Sequence, residues 1–293
     1  MEKFNEKITN FVTLNKRAVV SVFIVLAVIF ATFCPIYFSL IIFGGIALSS
    51  VYEYAKMVSN KYAINENFMI VATLIMLLVS RFTTDDILLT LIFIIAIISS
   101  FVFLAMGQQI VLRENTGNSN VIETAGAYMH GLSFIVYPWC ATIIFLNSYK
   151  FPSVASQLIF AIFLSTWICD TSAYLIGTAI GRHKLAPKIS EKKSVEGFVA
   201  GFIGSVLASF IYLIILSAFS LSACDPLYII AIGVICGTFG QIGDLAESLI
   251  KREIGVKDSG NLLPGHGGFL DRFDSILLNI TVFFLLFAVV NVF

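Results

Sequence analysis

The chain has 293 residues, of which 58% are hydrophobic, 14% aromatic and only 12% charged. Soluble domains carry about 25% charged residues, so there are too few charges here to cover a water-facing surface, which excludes a nucleic-acid binder, a secreted domain and a cytosolic enzyme. The 18 basic and 18 acidic residues cancel, so only their arrangement along the chain is informative.

A membrane-spanning helix needs about 20 apolar residues. Nine candidates follow one another: Ala18–Phe33, Ile36–Tyr54, Asn67–Ser80, Asp86–Met106, Ala127–Asn147, Ala155–Ile180, Gly197–Ser220, Leu227–Lys251 and Ser275–Phe293. The polar, basic stretch from Met1 to Arg17 precedes an apolar run with no small-residue cleavage site, since Ala31-Thr32-Phe33-Cys34-Pro35 leads straight into more apolar residues. The first segment is therefore expected to remain as an uncleaved helix. Pro35 divides a stretch too long for one span, because a proline disfavours helix at the residue before it. The third segment is the shortest, and the distribution of Lys and Arg tests it. Basic residues concentrate in cytoplasmic loops. Nine spans put 16 of the 18 on one side, with only Arg81 and Lys150 opposite, whereas removing the third gives 8 against 10. The expectation is an all-α polytopic integral membrane protein of about nine transmembrane helices, N-terminus cytoplasmic and C-terminus outside. It forms one membrane domain over 1–293, with N-terminal helices in 1–150 and the chemistry-bearing helices and loops in 151–293. The five cysteines form no CxxC and lie in or beside apolar runs, which suits small apolar residues better than disulfides or zinc ligands.

Two polar constellations break the apolar pattern. In the sixth segment Asp170, Tyr174, Gly177 and Gly181 recur at i, i+4, i+7 and i+11, one helix face. An aspartate inside an apolar helix marks a functional site by default, with a structural hydrogen bond or a pair with a loop lysine as the alternative. Five basic residues follow: Arg182, Lys184, Lys188, Lys192 and Lys193. Topology or anionic lipid would explain them. Their interleaving with Ser, Gly and Pro points instead to a phosphate clamp. Ser194 is a candidate N-cap for the seventh helix.

The eighth segment ends with Asp244, Glu247, Ser248 and Lys251 on one face, followed by Arg252. Carboxylates a turn apart near the membrane surface suit Mg²⁺, which takes one or two carboxylates and completes its shell with substrate phosphates. The loop beyond holds Lys257, Asp258, His266, Gly267 and Gly268, then Asp271, Arg272 and Asp274. The glycines permit close backbone approach. The diglycine precedes a helix N-terminus that favours anions, and Arg272 offers a planar fork for phosphate. Singly, His266 could be structural, Asp258 a turn cap, and Arg272 a partner of Asp274. Acids for a metal and bases for phosphate together describe phosphoryl or nucleotidyl transfer. The segments 170–196 and 244–274 hold half of the charged side chains in about a fifth of the chain.

Ser248-Leu-Ile-Lys251-Arg252, Lys257-Asp258 and Leu263-Pro264-Gly265-His266-Gly267-Gly268-Phe269-Leu270-Asp271-Arg272-Phe273-Asp274 together resemble the signature of the phosphatidate cytidylyltransferases, or CDP-diacylglycerol synthases. The blocks Trp167 to Lys184 and Lys192 to Gly197 are similar to that family too, and Glu191 stands where many members have proline. The resemblance covers roughly the C-terminal 130 residues. It implies that CTP and phosphatidic acid give CDP-diacylglycerol and pyrophosphate with Mg²⁺, the number of ions left open. It also implies a homodimer in the bacterial inner membrane, with the site facing the cytoplasm. Carried over by residue, Asp244 and Asp271 would be the metal ligands and Asp170, Asp258 and Asp274 secondary carboxylates. Lys193, Lys257, Arg272 and His266 would bind phosphates, while Ser248 would bind phosphate or orient Asp244. Tyr174, Lys184, Lys192, Lys251, Arg252, Gly267 and Gly268 would line the substrates. A CTP-dependent polyprenol kinase or an archaeal-lipid cytidylyltransferase would use similar physics. A proton-relaying transporter is the alternative from another class, though no inverted repeat is visible.

Overall fold

The computed structural model describes residues 19–82, 87–116, 121–148, 152–221, 224–263 and 267–292. It is 82% helical. Among the described residues there are nine helical rods. They are α1 (Val19–Phe33), α2 (Ile36–Val58), α3 (Glu66–Arg81), α4 (Ile87–Thr116), α5 (Val121–Leu146), α6 (Pro152–Ile180), α7 (Val195–Ala218), α8 (Pro226–Ile254) and α9 (Leu270–Val292). Each predicted segment coincides with one rod. Six rods, α2 and α5 to α9, are long and apolar enough to cross a membrane. The 16 residues of α3 rise about 24 Å at 1.5 Å each, short of the roughly 30 Å hydrocarbon layer.

Local chemistry sets most boundaries. Pro35 is extended (φ −52°, ψ 145°) and stands as the cap residue of α2, as expected of the break between the first two segments. The Asn65 side chain caps α3, accepting from Phe68 N at 3.1 Å. Ser194 caps α7 as expected, accepting from Gly197 N at 3.1 Å. Gly255 ends α8 in the left-handed region at φ 82°. Two helices carry an internal π turn, at Gly131–Val136 in α5 and Cys236–Gly240 in α8. In α5 the turn runs directly into Pro138, which has no N–H for the ladder.

The structure departs from the expected elements in three places. The 182–196 loop folds back on itself as a short antiparallel hairpin, β1 (Lys184–Ala186) and β2 (Ser190–Ser194). Too few residues alternate there for a strand pattern to be visible. Helix α9 starts at Leu270, five residues before the expected Ser275, so Asp271, Arg272 and Asp274 are helical. Their polarity masked the helix start. Helix α4 continues to Thr116 beyond the expected Met106, because a span need not end where its hydrophobicity does.

The core joins both halves of the chain. Trp139 of α5 is fully buried, stacked on Phe43 of α2 at 5.7 Å and edge-on to Phe273 of α9 at 5.3 Å. Helices α6 and α7 cross closely through Gly177 and Gly197, where a Cβ on Gly197 would lie 2.8 Å from the Ala173 carbonyl oxygen. Small residues at a membrane helix crossing allow this approach. At the far end of α8, Glu253 accepts from Lys61 Nζ (2.9 Å) and Tyr62 Oη (2.6 Å), which holds the Lys61 ammonium above its ordinary pKa.

Candidate active site

The site is assembled from four places: the end of α6, the hairpin, the C-terminal half of α8, and the loop leading into α9. Glu196, in the first turn of α7, accepts from the His183 backbone N–H at 3.2 Å and contacts its Nδ1 at 2.6 Å. This clips the hairpin to the helix. Lys193 then faces inward, its Nζ 2.7 Å from Asp244 Oδ2 and 3.4 Å from the Gln241 carbonyl oxygen. Lys184 and Lys192 are exposed. On α6, Asp170 lies within electrostatic reach of Asp244, Lys193 and Arg272. The face predicted to run from Asp170 through Tyr174 to the two glycines divides in the structure. Gly177 and Gly181 press against Ser194, and Tyr174 is 69% exposed, so the glycines serve the helix crossing.

The α8 face also divides. Asp244 is partly exposed, and Ser248 Oγ donates to its Oδ1 at 3.4 Å. Lys251, expected to touch substrate, instead lies inside the protein with 8% of its side chain exposed. It is paired with Glu247 at 3.1 Å and Asp271 at 2.6 Å. An ammonium on the interior side of an amphipathic helix end has no water to turn to, so it takes carboxylates. Arg252 is exposed and donates to the Val256 carbonyl at 2.9 Å, closing its own helix end.

Asp271 organises the loop before α9. Its Oδ2 accepts from Ser259 N and Gly268 N, both at 3.0 Å, and its Oδ1 takes Lys251. Gly267 adopts φ 82°, and its carbonyl oxygen accepts from Leu263 N at 3.0 Å. Lys257 and Asp258 are exposed, with Asp258 beside Gly267. Pro264, Gly265 and His266 lie outside the described residues, so His266 has no structural placement. Asp274, one turn after Asp271, is within electrostatic reach of Asp244, Glu247 and Lys251.

Glu247, expected with Asp244 to suit a divalent cation, is instead buried and paired with Lys251 at 3.1 Å. One acid central to this arrangement escaped the sequence reading, Glu53 of α2. It is buried, and it accepts from Ser259 Oγ at 3.2 Å, Leu270 N at 3.1 Å and Leu262 N at 3.4 Å. The signal was available, because a lone carboxylate in an apolar helix is as unusual at 53 as at 170. The predicted helix ended at Tyr54, which made Glu53 look like a boundary residue.

The charge balance bears on a metal ion. Asp170, Asp244, Glu247, Asp271 and Asp274 meet three cations, Lys193, Lys251 and Arg272. Five carboxyl groups thus face three cations, and two of the five, Glu247 and Asp274, are hydrogen-bonded to each other. Among the described residues no three His, Cys, Asp or Glu side chains converge to chelate an ion by themselves. A cation that keeps waters and borrows phosphate oxygens fits this set, and Asp244, partly exposed, is the accessible ligand. Asp271 fits less well, since its oxygens already accept from Lys251 and two backbone N–H groups.

An acid-rich face with inward-turned bases, on helices joined by a glycine loop, suits a nucleotide-handling membrane protein. Residues 15–290 match the cytidylyltransferase family. The chain belongs to that family. A phosphatidate cytidylyltransferase of Staphylococcus saprophyticus subsp. saprophyticus is 45% identical over 133 residues, which make up 45% of this chain and 50% of that protein. Those of Staphylococcus haemolyticus and Staphylococcus aureus are 44% and 43% identical over 133 residues. The matched stretch thus spans about half the length of these relatives.

Proposed function

We propose that the chain transfers CMP from CTP to phosphatidic acid, giving CDP-diacylglycerol and pyrophosphate. The observation that carries this reading is Asp244. It is 32% exposed on its side chain and 2.7 Å from Lys193, with Asp170 and Asp274 nearby. In the reaction a phosphatidate oxygen forms a bond to the α-phosphorus of CTP, and the bond from that phosphorus to the pyrophosphate oxygen breaks. The lipid phosphate is already an anion, so no strong general base is required. The difficulty is to bring two anions together, and fixed cations answer it. Lys193 and Arg272 supply the positive charge, with Asp170 in electrostatic reach of both. A divalent cation, Mg²⁺ by its preference for oxygen ligands, would be held by Asp244 and would neutralise charge on the triphosphate. Asp271 would join it only by exchanging Lys251. Lys257, Asp258 and the Gly267-Gly268 backbone would meet the phosphates from the loop.

We further read all nine rods as spans of a multi-pass protein of a bacterial inner membrane. The N-terminus is cytoplasmic, the C-terminus outside, and the site faces the cytoplasm, where CTP is. The 16-to-2 split of basic residues supports this orientation. A homodimer is proposed on the family resemblance alone.

The test uses protein purified in detergent, phosphatidate, Mg²⁺ and CTP radiolabelled at the α-phosphate. The expected product is labelled CDP-diacylglycerol, lost on chelation and restored by Mg²⁺. Label confined to soluble nucleotide, with phosphate passing from γ-labelled CTP to an isoprenoid alcohol, would establish a kinase instead.

A further inference from the structure

Glu53 is not among the residues assigned to substrates, yet it grips the loop that carries several of them. Its side chain comes from α2, far away in sequence, and the residue is 2% exposed. Oε2 accepts from Leu270 N at 3.1 Å and Ser259 Oγ at 3.2 Å, and Oε1 accepts from Leu262 N at 3.4 Å. Leu270 is the first residue of α9. The opening N–H groups of a helix have no partner within it and favour negative charge. Glu53 therefore caps α9 from a different helix, immediately before Asp271, Arg272 and Asp274.

The loop is shaped to this carboxylate. A Cβ on Gly260 would lie 2.5 Å from Glu53 Oε1, and one on Gly268 would lie 2.5 Å from Oε2. The backbone thus packs directly against the acid at both positions, and neither has room for a side chain. Asp271 grips the same loop from the other side through Ser259 N and Gly268 N. The base of the grip is fixed as well, because Tyr54 Oη donates to the Ala127 carbonyl at 2.9 Å and ties α2 to α5.

We infer that Glu53 is a positioning residue, by which the N-terminal half of the chain sets the α8–α9 loop and the first turn of α9 against Asp170 and Asp244. Its catalytic consequence rests on the activity proposed above. The test compares wild type with Glu53→Gln and Glu53→Asp in detergent, by amide hydrogen exchange and by CMP transfer. The amide of Gln places an N–H₂ against a donor and removes one acceptor. Exchange at the described loop residues 257–263 and 267–270 should rise at least about tenfold, with the rest of the chain unchanged. Turnover should fall at least about tenfold, since small misplacements of reacting groups are costly. Glu53→Asp keeps both acceptor oxygens and should restore part of each. If Glu53→Gln does not fold, Gly268→Ala disturbs the same contact from the loop side and should loosen the same residues. Unchanged loop exchange, a rise spread over the whole chain, or a loosened loop with turnover intact would each overturn the inference. A wild-type protein that makes no CDP-diacylglycerol would sink the proposed activity, while the exchange comparison would still decide whether Glu53 holds the loop.

Discussion

Lys251 and Asp244 lie two turns apart on α8 and do different work. Lys251 is held between Glu247 and Asp271 away from solvent, so Lys251→Met leaves two buried carboxylates without a counter-charge. Breaking a buried pair by removing one partner costs about 3–5 kcal/mol, and thermal unfolding in detergent should show a loss of that order. Asp244 is partly exposed, with 32% of its side chain accessible. Asp244→Asn should leave the unfolding midpoint nearly unchanged while CMP transfer falls by about 10²-fold or more, the scale of losing one electrostatic group in a transition state. Near-normal transfer in that variant would remove Asp244 from the metal and phosphate site. Both residues were legible in the sequence as charges on one amphipathic face. Which of them turns inward was not, because helical spacing fixes a face and says nothing about what packs against it.

The α6–hairpin–α7 unit shows how an element aims a side chain. Ser194 caps α7, Glu196 clips the hairpin, and the close crossing of α6 and α7 at Gly177 and Gly197 puts Lys193 beside Asp244. Ser194→Ala should destabilise by about 1 kcal/mol, as for other lost caps. Gly197→Val forces the helices apart and should cost about 1–3 kcal/mol by overpacking. It should also weaken CTP binding by drawing Lys193 away, read as a raised KM for CTP. A variant with normal stability and normal KM would mean that the crossing does not aim Lys193. The cap was visible as a serine before an apolar run. The hairpin was not, since its pairing depends on the two helix ends it joins.

For the whole molecule, the proposed orientation can be tested with single cysteines. Cys140, Cys169 and Cys236 are buried, whereas Cys34 and Cys224 are partly accessible and would be replaced by serine. A cysteine at Lys188 should react with an impermeant thiol reagent only from the cytoplasmic side, and one at Arg81 only from outside. The reverse pattern, or both on one side, would overturn the nine-span reading. The aromatic contacts of Trp139 with Phe43 and Phe273 bind the N-terminal helices to α9. Truncation of the first helices should therefore disturb the site as well as the membrane anchor.

The sequence by itself determined the membrane class, the order of the apolar segments, the break at Pro35, the cap at Ser194 and the two charged stretches that meet at the site. These follow from local composition and spacing, which one strand of sequence contains in full. Only the tertiary structure decided that Lys251 is a buried bridge, that Asp271 anchors a loop, and that Glu53 reaches from α2 to the start of α9. Those facts depend on which distant backbone N–H groups and charges a buried carboxylate finds, and that is settled by packing rather than by neighbours along the chain.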